Sequence, residues 1–111
     1  MDLYVVGPDQ DLDIEMVNST PTDPLPIGEG VTVTWEVPMF KAEGIPKTID
    51  IAIQLLEAVP VGVAANIITN WLMARFKGRA ERVVIERQEV EFDEGKLKRI
   101  VHETITREHG K

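Results

Sequence analysis

The chain contains no cysteine, and that one absence removes a disulfide framework, a thiolate zinc site and a cysteine nucleophile together. It also favours a cytoplasmic setting. Histidine is scarce as well: the two in the chain, His102 and His109, both lie near the C-terminus, so imidazole-based acid–base chemistry is thinly provided for. No glycine-rich phosphate loop and no nucleophile elbow is present. The opening residues MDLYVVGPDQDLD have no basic stretch followed by a long apolar run, so no secretory signal is expected. No internal repeat or low-complexity tract is visible. Neither a catalytic residue, a cofactor nor a metal is expected from this inventory.

What is present fits one domain over residues 1–111. With 43% apolar residues and 28% charged ones, the chain can bury roughly two thirds of its unfolded surface and offset its conformational entropy. The net charge of −7 is unevenly distributed. Residues 1–57 hold eleven carboxylates against Lys41 and Lys47 (2 − 11 = −9), whereas residues 58–111 hold ten Lys or Arg against eight carboxylates (10 − 8 = +2). Acidic surface repels a phosphate backbone, so nucleic acid is not the expected partner. A basic protein partner is more natural.

Periodicity assigns the elements. Leu3 to Val6 reads as a strand ended by Gly7-Pro8-Asp9. Residues 11–17 alternate Leu12, Ile14 and Met16 with acidic residues, the pattern of a half-buried strand. Residues 18–30 carry three prolines and two glycines, which predicts a loop without regular structure. VTVTWEV, residues 31–37, alternates strictly and is rich in β-branched side chains, so it reads as a strand. From Pro46 the recurrence of Ile49, Ile53 and Leu56 at spacings of three and four predicts a helix. Pro60 then breaks or kinks it before it continues from Val61 to Phe76.

That second piece presents Val61, Ala64, Ala65, Ile68, Trp71, Leu72 and Phe76 as a broad apolar face and Asn66, Thr69 and Asn70 as a narrow polar one. Gly78 supplies its stop. Val83 to Ile85, a turn near Arg87-Gln88, and Val90 with Phe92 predict a hairpin. Asp93 is the expected N-cap of a final helix with Leu97, Ile100, Val101 and Ile105 on its apolar face, and Glu94–Lys98 and Glu103–Arg107 are spaced for ion pairs.

Three strings suggest chemistry and fail on spacing. His102-Glu103 begins like a zinc-hydrolase helix, but Thr106 stands where the second histidine belongs. His109 is about two turns on, roughly 10 Å along the axis, too far to share the ion. Asp9, Asp11, Asp13 and Glu15 resemble a calcium loop, but Ile14 and Thr20 occupy the positions that need glycine and glutamate. Residues 58–74 hold no charge and are followed by Arg75, Lys77, Arg79 and Arg82, like a short membrane span with a basic flank. Pro60, Gly62, Asn66, Thr69 and Asn70 make the segment poorly apolar, and a helix buried on a sheet has the same composition. Arg75 and Lys77 also suit the negative end of that helix. Trp71 is expected in the core, and Met39 and Phe40 in the loop PMFKAEGIP either fold back or form an exposed anchor.

Between about residues 31 and 105, VTVTWEVP before an apolar helix, the ending TNWLMARFKGR, the hairpin RVVIERQEVEF and the closing DEGKLKRIVHETI resemble the effector-associated constant component domains of bacterial conflict systems. Trp71, Leu72, Arg75 and Arg79 match best. The chain departs from that family in beginning with strands and a proline-rich loop. The resemblance implies a non-enzymatic adaptor acting through protein contacts.

The expected fold is α+β, a mostly antiparallel sheet of about five strands covered mainly on one face by a long broken helix and a C-terminal helix. The expected function is protein interaction, with Trp71, Arg75, Arg79 and Phe40 as partner-binding residues and a protein partner, either another protein or a second copy of the chain. Two alternatives follow from the residues: membrane insertion through residues 58–74, and a small ligand-binding or hydrolytic domain that uses carboxylates.

Overall fold

The structure, a computed structural model, describes residues 1–7, 23–36, 48–56, 58–78 and 80–109. Among the described residues six strands and two helices follow in the order β1 (Asp2–Val6), β2 (Leu25–Gly28), β3 (Val31–Glu36), β4 (Thr48–Leu55), α1 (Val61–Phe76), β5 (Arg82–Ile85), β6 (Gln88–Glu91) and α2 (Glu94–His109). The strands form one sheet in the order β2-β3-β4-β1-β5-β6, and every neighbouring pair is antiparallel. The α+β class is as expected, with six strands instead of five.

Strict alternation decides which face is covered. Val31, Val33 and Trp35 of β3, Ile49, Ile51 and Ile53 of β4, Leu3 and Val5 of β1, and Val83 and Ile85 of β5 are all buried. They lie on one face because successive strand residues point to opposite sides. Both helices lie on that face. In α1, Ala64, Ala65, Ile68, Leu72 and Phe76 are fully buried, as the apolar stripe predicted. In α2, Leu97, Ile100, Val101 and Ile105 are buried, again as predicted. Helix α1 packs over β2 and β3, α2 over β5 and β6, and the two helices meet above the middle of the sheet.

Two expectations are corrected. Residues 48–55 form a strand, not the first piece of a helix. Ile49, Ile51 and Ile53 alternate with exposed Asp50, Ala52 and Gln54, and β-branched side chains on alternate positions suit a pleated surface better than a helix. Leu56, which the helical reading placed on the apolar face, is 67% exposed. Pro60 consequently breaks nothing: it occupies the N-cap with φ −62° and ψ 144°, and α1 runs unbroken from the next residue. The second correction is β2, which forms within the stretch expected to be a loop. Proline is tolerated there because β2 is an edge strand among the described residues, so half of its backbone groups have no ladder to serve. The predicted strand at 11–17 lies outside the described residues.

Local geometry explains the connections. Gly30 has φ +76° and lets the β2–β3 turn approach the segment before α1, where Leu56 N–H donates to Gly30 O at 2.9 Å. Any Cβ on Gly30 would overlap Val59 Cγ2. Gly78, with φ +84°, ends α1 as expected. Asp93 caps α2, its Oδ2 accepting from Lys96 N–H at 3.0 Å. The anticipated Glu94–Lys98 and Glu103–Arg107 pairs do not close. Instead Lys96 Nζ pairs with Glu91, which raises the pKa of the ammonium above its usual value through that hydrogen bond and charge.

Candidate functional site

The same alternation that buries one face of the sheet leaves the other without a helix among the described residues. Register sets its surface in rows. Glu36 lies opposite Asp50, Asp50 opposite Tyr4 and Tyr4 opposite Val84, so these four side chains cross the sheet in one line. The adjacent row is smaller: Thr34 lies opposite Ala52 and Ala52 opposite Asp2. A methyl group between longer neighbours makes a floor, and a groove of about 680 Å³ runs over it. Strands about 4.8 Å apart hold these positions rigidly, since both central strands, β4 and β1, are paired on either side.

The charge in the groove is lopsided. Among the described residues, Asp2, Glu36, Asp50 and Glu86 line it against the single cation Arg87. Glu86 Oε2 is engaged, accepting from Asp2 N–H at 3.1 Å. The Glu36 and Asp50 carboxylates have no hydrogen bond or ion pair among the described residues. Partial burial, and after it the facing Glu36, hold the Asp50 carboxyl above the usual aspartate value. Elsewhere on the same side acids are matched by bases: Arg82 Nε lies 2.7 Å from Glu89 Oε2 and Arg82 Nη1 3.4 Å from Glu81 Oε1. Arg82 Nε makes no formal hydrogen bond there, so the contact is a charge pairing at poor angle. Tyr4, 39% exposed, stands beside the unmatched carboxylates. The groove can therefore attract cations, accept hydrogen bonds and offer an aromatic ring.

Of the residues expected to bind a partner, Trp71 and Arg75 do not line this groove. Trp71 lies half-buried on α1, its ring centroid 6.3 Å from Trp35 and 6.1 Å from Phe76, edge-on to the latter. Arg75 is half-buried one turn further on, in the last turn of α1. Phe40, Met39 and Arg79 lie outside the described residues. Reading residues 48–55 as a helix hides the groove, because Asp50 and Ala52 belong to it only as strand residues.

Other candidates carry less. A shallower depression on α2 is lined by Lys98, Arg99, His102 and Glu103, side chains of one helix surface with no second element facing them among the described residues. His102 is exposed there. Among the described residues no group of three or more His, Cys, Asp or Glu is placed to hold a metal. The acidic run 9–15 lies outside them. No described helix is long and apolar enough to cross a membrane. The apolar residues that suggested insertion, such as Ala65, Ile68 and Leu72, are buried within the protein's own core.

Comparison of the chain with protein-family models, with curated proteins and with solved structures finds no match in any of the three.

Proposed function

We propose that the chain is a non-enzymatic interaction module, an adaptor, that holds a protein partner on the face of its sheet that carries no helix among the described residues. The observation that carries this reading is the groove over Ala52, built on paired central strands and flanked by the Glu36 and Asp50 carboxylates, which have no partner among the described residues. A rigid, pre-formed concave surface costs little ordering entropy on binding, which is what a docking site requires. The adaptor role agrees with what the family resemblance implies. A setting in a bacterial conflict system rests on that resemblance alone.

Site-specific photo-crosslinking tests the reading. A crosslinker replacing Ala52 captures a protein that a crosslinker replacing Glu103 on α2 does not. The purified partner then rebinds, and Ala52→Phe, which fills the groove without changing charge, abolishes binding. Capture from the α2 position alone overturns the reading.

One observation favours a hydrolytic alternative: Glu36 and Asp50 converge, with the Asp50 proton held more tightly than usual, as in an acid–base pair. Both carboxylates are exposed, which leaves a reacting bond open to water. Turnover of a chromogenic ester or glycoside that disappears in Glu36→Gln would favour this alternative over docking.

A further inference from the structure

Docking alone leaves the partner's chemistry open, and the charge pattern narrows it. The protein neutralises Glu89 with Arg82 and Glu91 with Lys96, yet leaves Glu36 and Asp50 facing each other with no cation among the described residues. Like charges directly opposite across a strand pair destabilise a sheet. A metal ion is a poor occupant, because a hard cation needs six to eight converging oxygens and no such cluster is placed here among the described residues. A nucleic acid is repelled by the same carboxylates.

An organic cation meets every feature. Tyr4 adjoins Asp50 in the same row, so a planar cation can lie against the ring while its edge reaches carboxylates. Stacking on an aromatic face combined with forked donation to carboxylate is the property of guanidinium rather than ammonium. The shallow floor at Ala52 gives an extended chain room to run beside it.

We propose, resting on the docking reading above, that the groove takes an arginine-bearing segment of a protein partner, with one guanidinium seated against Tyr4 and between Glu36 and Asp50. Among the described residues the one cation that lines the groove is Arg87. It sits in the β5–β6 turn, beyond Glu86, and makes no ion pair to either carboxylate.

Titration of the isotope-labelled chain with a short glycine–arginine peptide, followed by backbone amide NMR, tests the proposal. The expected result is shifts concentrated at Tyr4, Glu36, Asp50 and Ala52, weakening as salt is raised. The Glu36→Gln/Asp50→Asn variant loses affinity about tenfold. The charge-matched Glu94→Gln/Glu103→Gln variant on α2 stays within about twofold, since exposed charges further away than a Debye length are screened. Shifts spread over the whole surface, or equal loss in both variants, overturn the proposal. Equal binding of the glycine–lysine peptide overturns the assignment to arginine. If the arginine peptide fails while the protein crosslinked at position 52 still binds and is lost with Ala52→Phe, the docking face stands and the partner chemistry alone is wrong.

Discussion

Glu36 and Asp50 stand directly opposite one another across the β3–β4 pair, two carboxylates with no cation between them among the described residues. Burial and that neighbour raise the Asp50 pKa above 3.8, so the folded chain binds this proton more tightly than the unfolded one. The sign follows from linkage: ionised Asp50 costs stability at neutral pH, and the cost is relieved as pH falls through the raised folded value, levelling off below the unfolded one. Asp50→Asn therefore stabilises the fold at pH 7 by about 0.2–1 kcal/mol, the range of cross-strand pair energies. At pH 3 the gain vanishes. Urea melts at the two pH values check this, and a gain that does not change with pH contradicts burial and repulsion of the ionised carboxylate as its cause.

The β5–β6 hairpin is closed by Glu86 and Arg87, both with positive φ, 50° and 76°. Two consecutive residues of that kind form the mirror-image turn whose twist matches the strands, normally built from asparagine and glycine. Here the turn carries two ordinary side chains at a steric cost. Arg87→Gly should raise the urea midpoint by an amount worth about 0.5–1 kcal/mol, with an unchanged m-value. Glu86 is the wrong residue to change, because its Oε2 also accepts from Asp2 N–H. A lower midpoint for Arg87→Gly would show that the arginine makes a contact outweighing the strain.

How much of this is legible in the sequence depends on how many patterns each segment satisfies. Residues 31–36 fit only alternation, and Leu97, Ile100, Val101 and Ile105 only a helical stripe, so both elements are readable. Residues 49–56 fit both periods: Ile49 and Ile53 are four apart as well as an even number apart, and Ile51 breaks the tie towards a strand. The groove is less accessible still. Its rows exist because β1 inserts between β4 and β5, pairing Leu3 with Ile51 and with Ile85, and pairing at such sequence distance leaves no local signal. Charge asymmetry points to a basic partner but not to a face. The contact of Trp71 with the core is readable from its helical position alone.

Two buried threonines separate the cost of an unmade hydrogen bond from that of a made one. Thr104 Oγ1 donates to Ile100 O at 2.8 Å, whereas Thr69 Oγ1 is buried with no hydrogen-bond partner among the described residues. An unsatisfied buried hydroxyl carries a desolvation penalty of about 1–3 kcal/mol that a methyl group of similar shape escapes. Thr69→Val is expected to raise stability by about 1 kcal/mol. Thr104→Val should be neutral or slightly destabilising. Thermal unfolding of both variants decides the matter, and a drop for Thr69→Val would mean that its hydroxyl is hydrogen-bonded after all.

Trp71 divides the partner surface expected from sequence from the one proposed on the sheet. Its ring touches Trp35 from the buried face of β3 and stands edge-on to Phe76 from its own helix, so three aromatic rings join the sheet to α1. Removing the central ring deletes two aromatic contacts worth about 0.5–1.5 kcal/mol each beyond area burial. Trp71→Ala should cost about 2–4 kcal/mol, below the full penalty for a wholly buried aromatic because one side of the ring is solvated. Near-ultraviolet circular dichroism should lose intensity, since Trp35 and Trp71 lie close enough for their transitions to couple, while the far-ultraviolet spectrum keeps its shape. Trp71→Phe should recover about half of the loss, as a smaller ring retains the edge contact. If Trp71→Ala instead left stability unchanged and removed partner binding, α1 and not the sheet would carry the interface. The groove over Ala52 would then have no partner to hold.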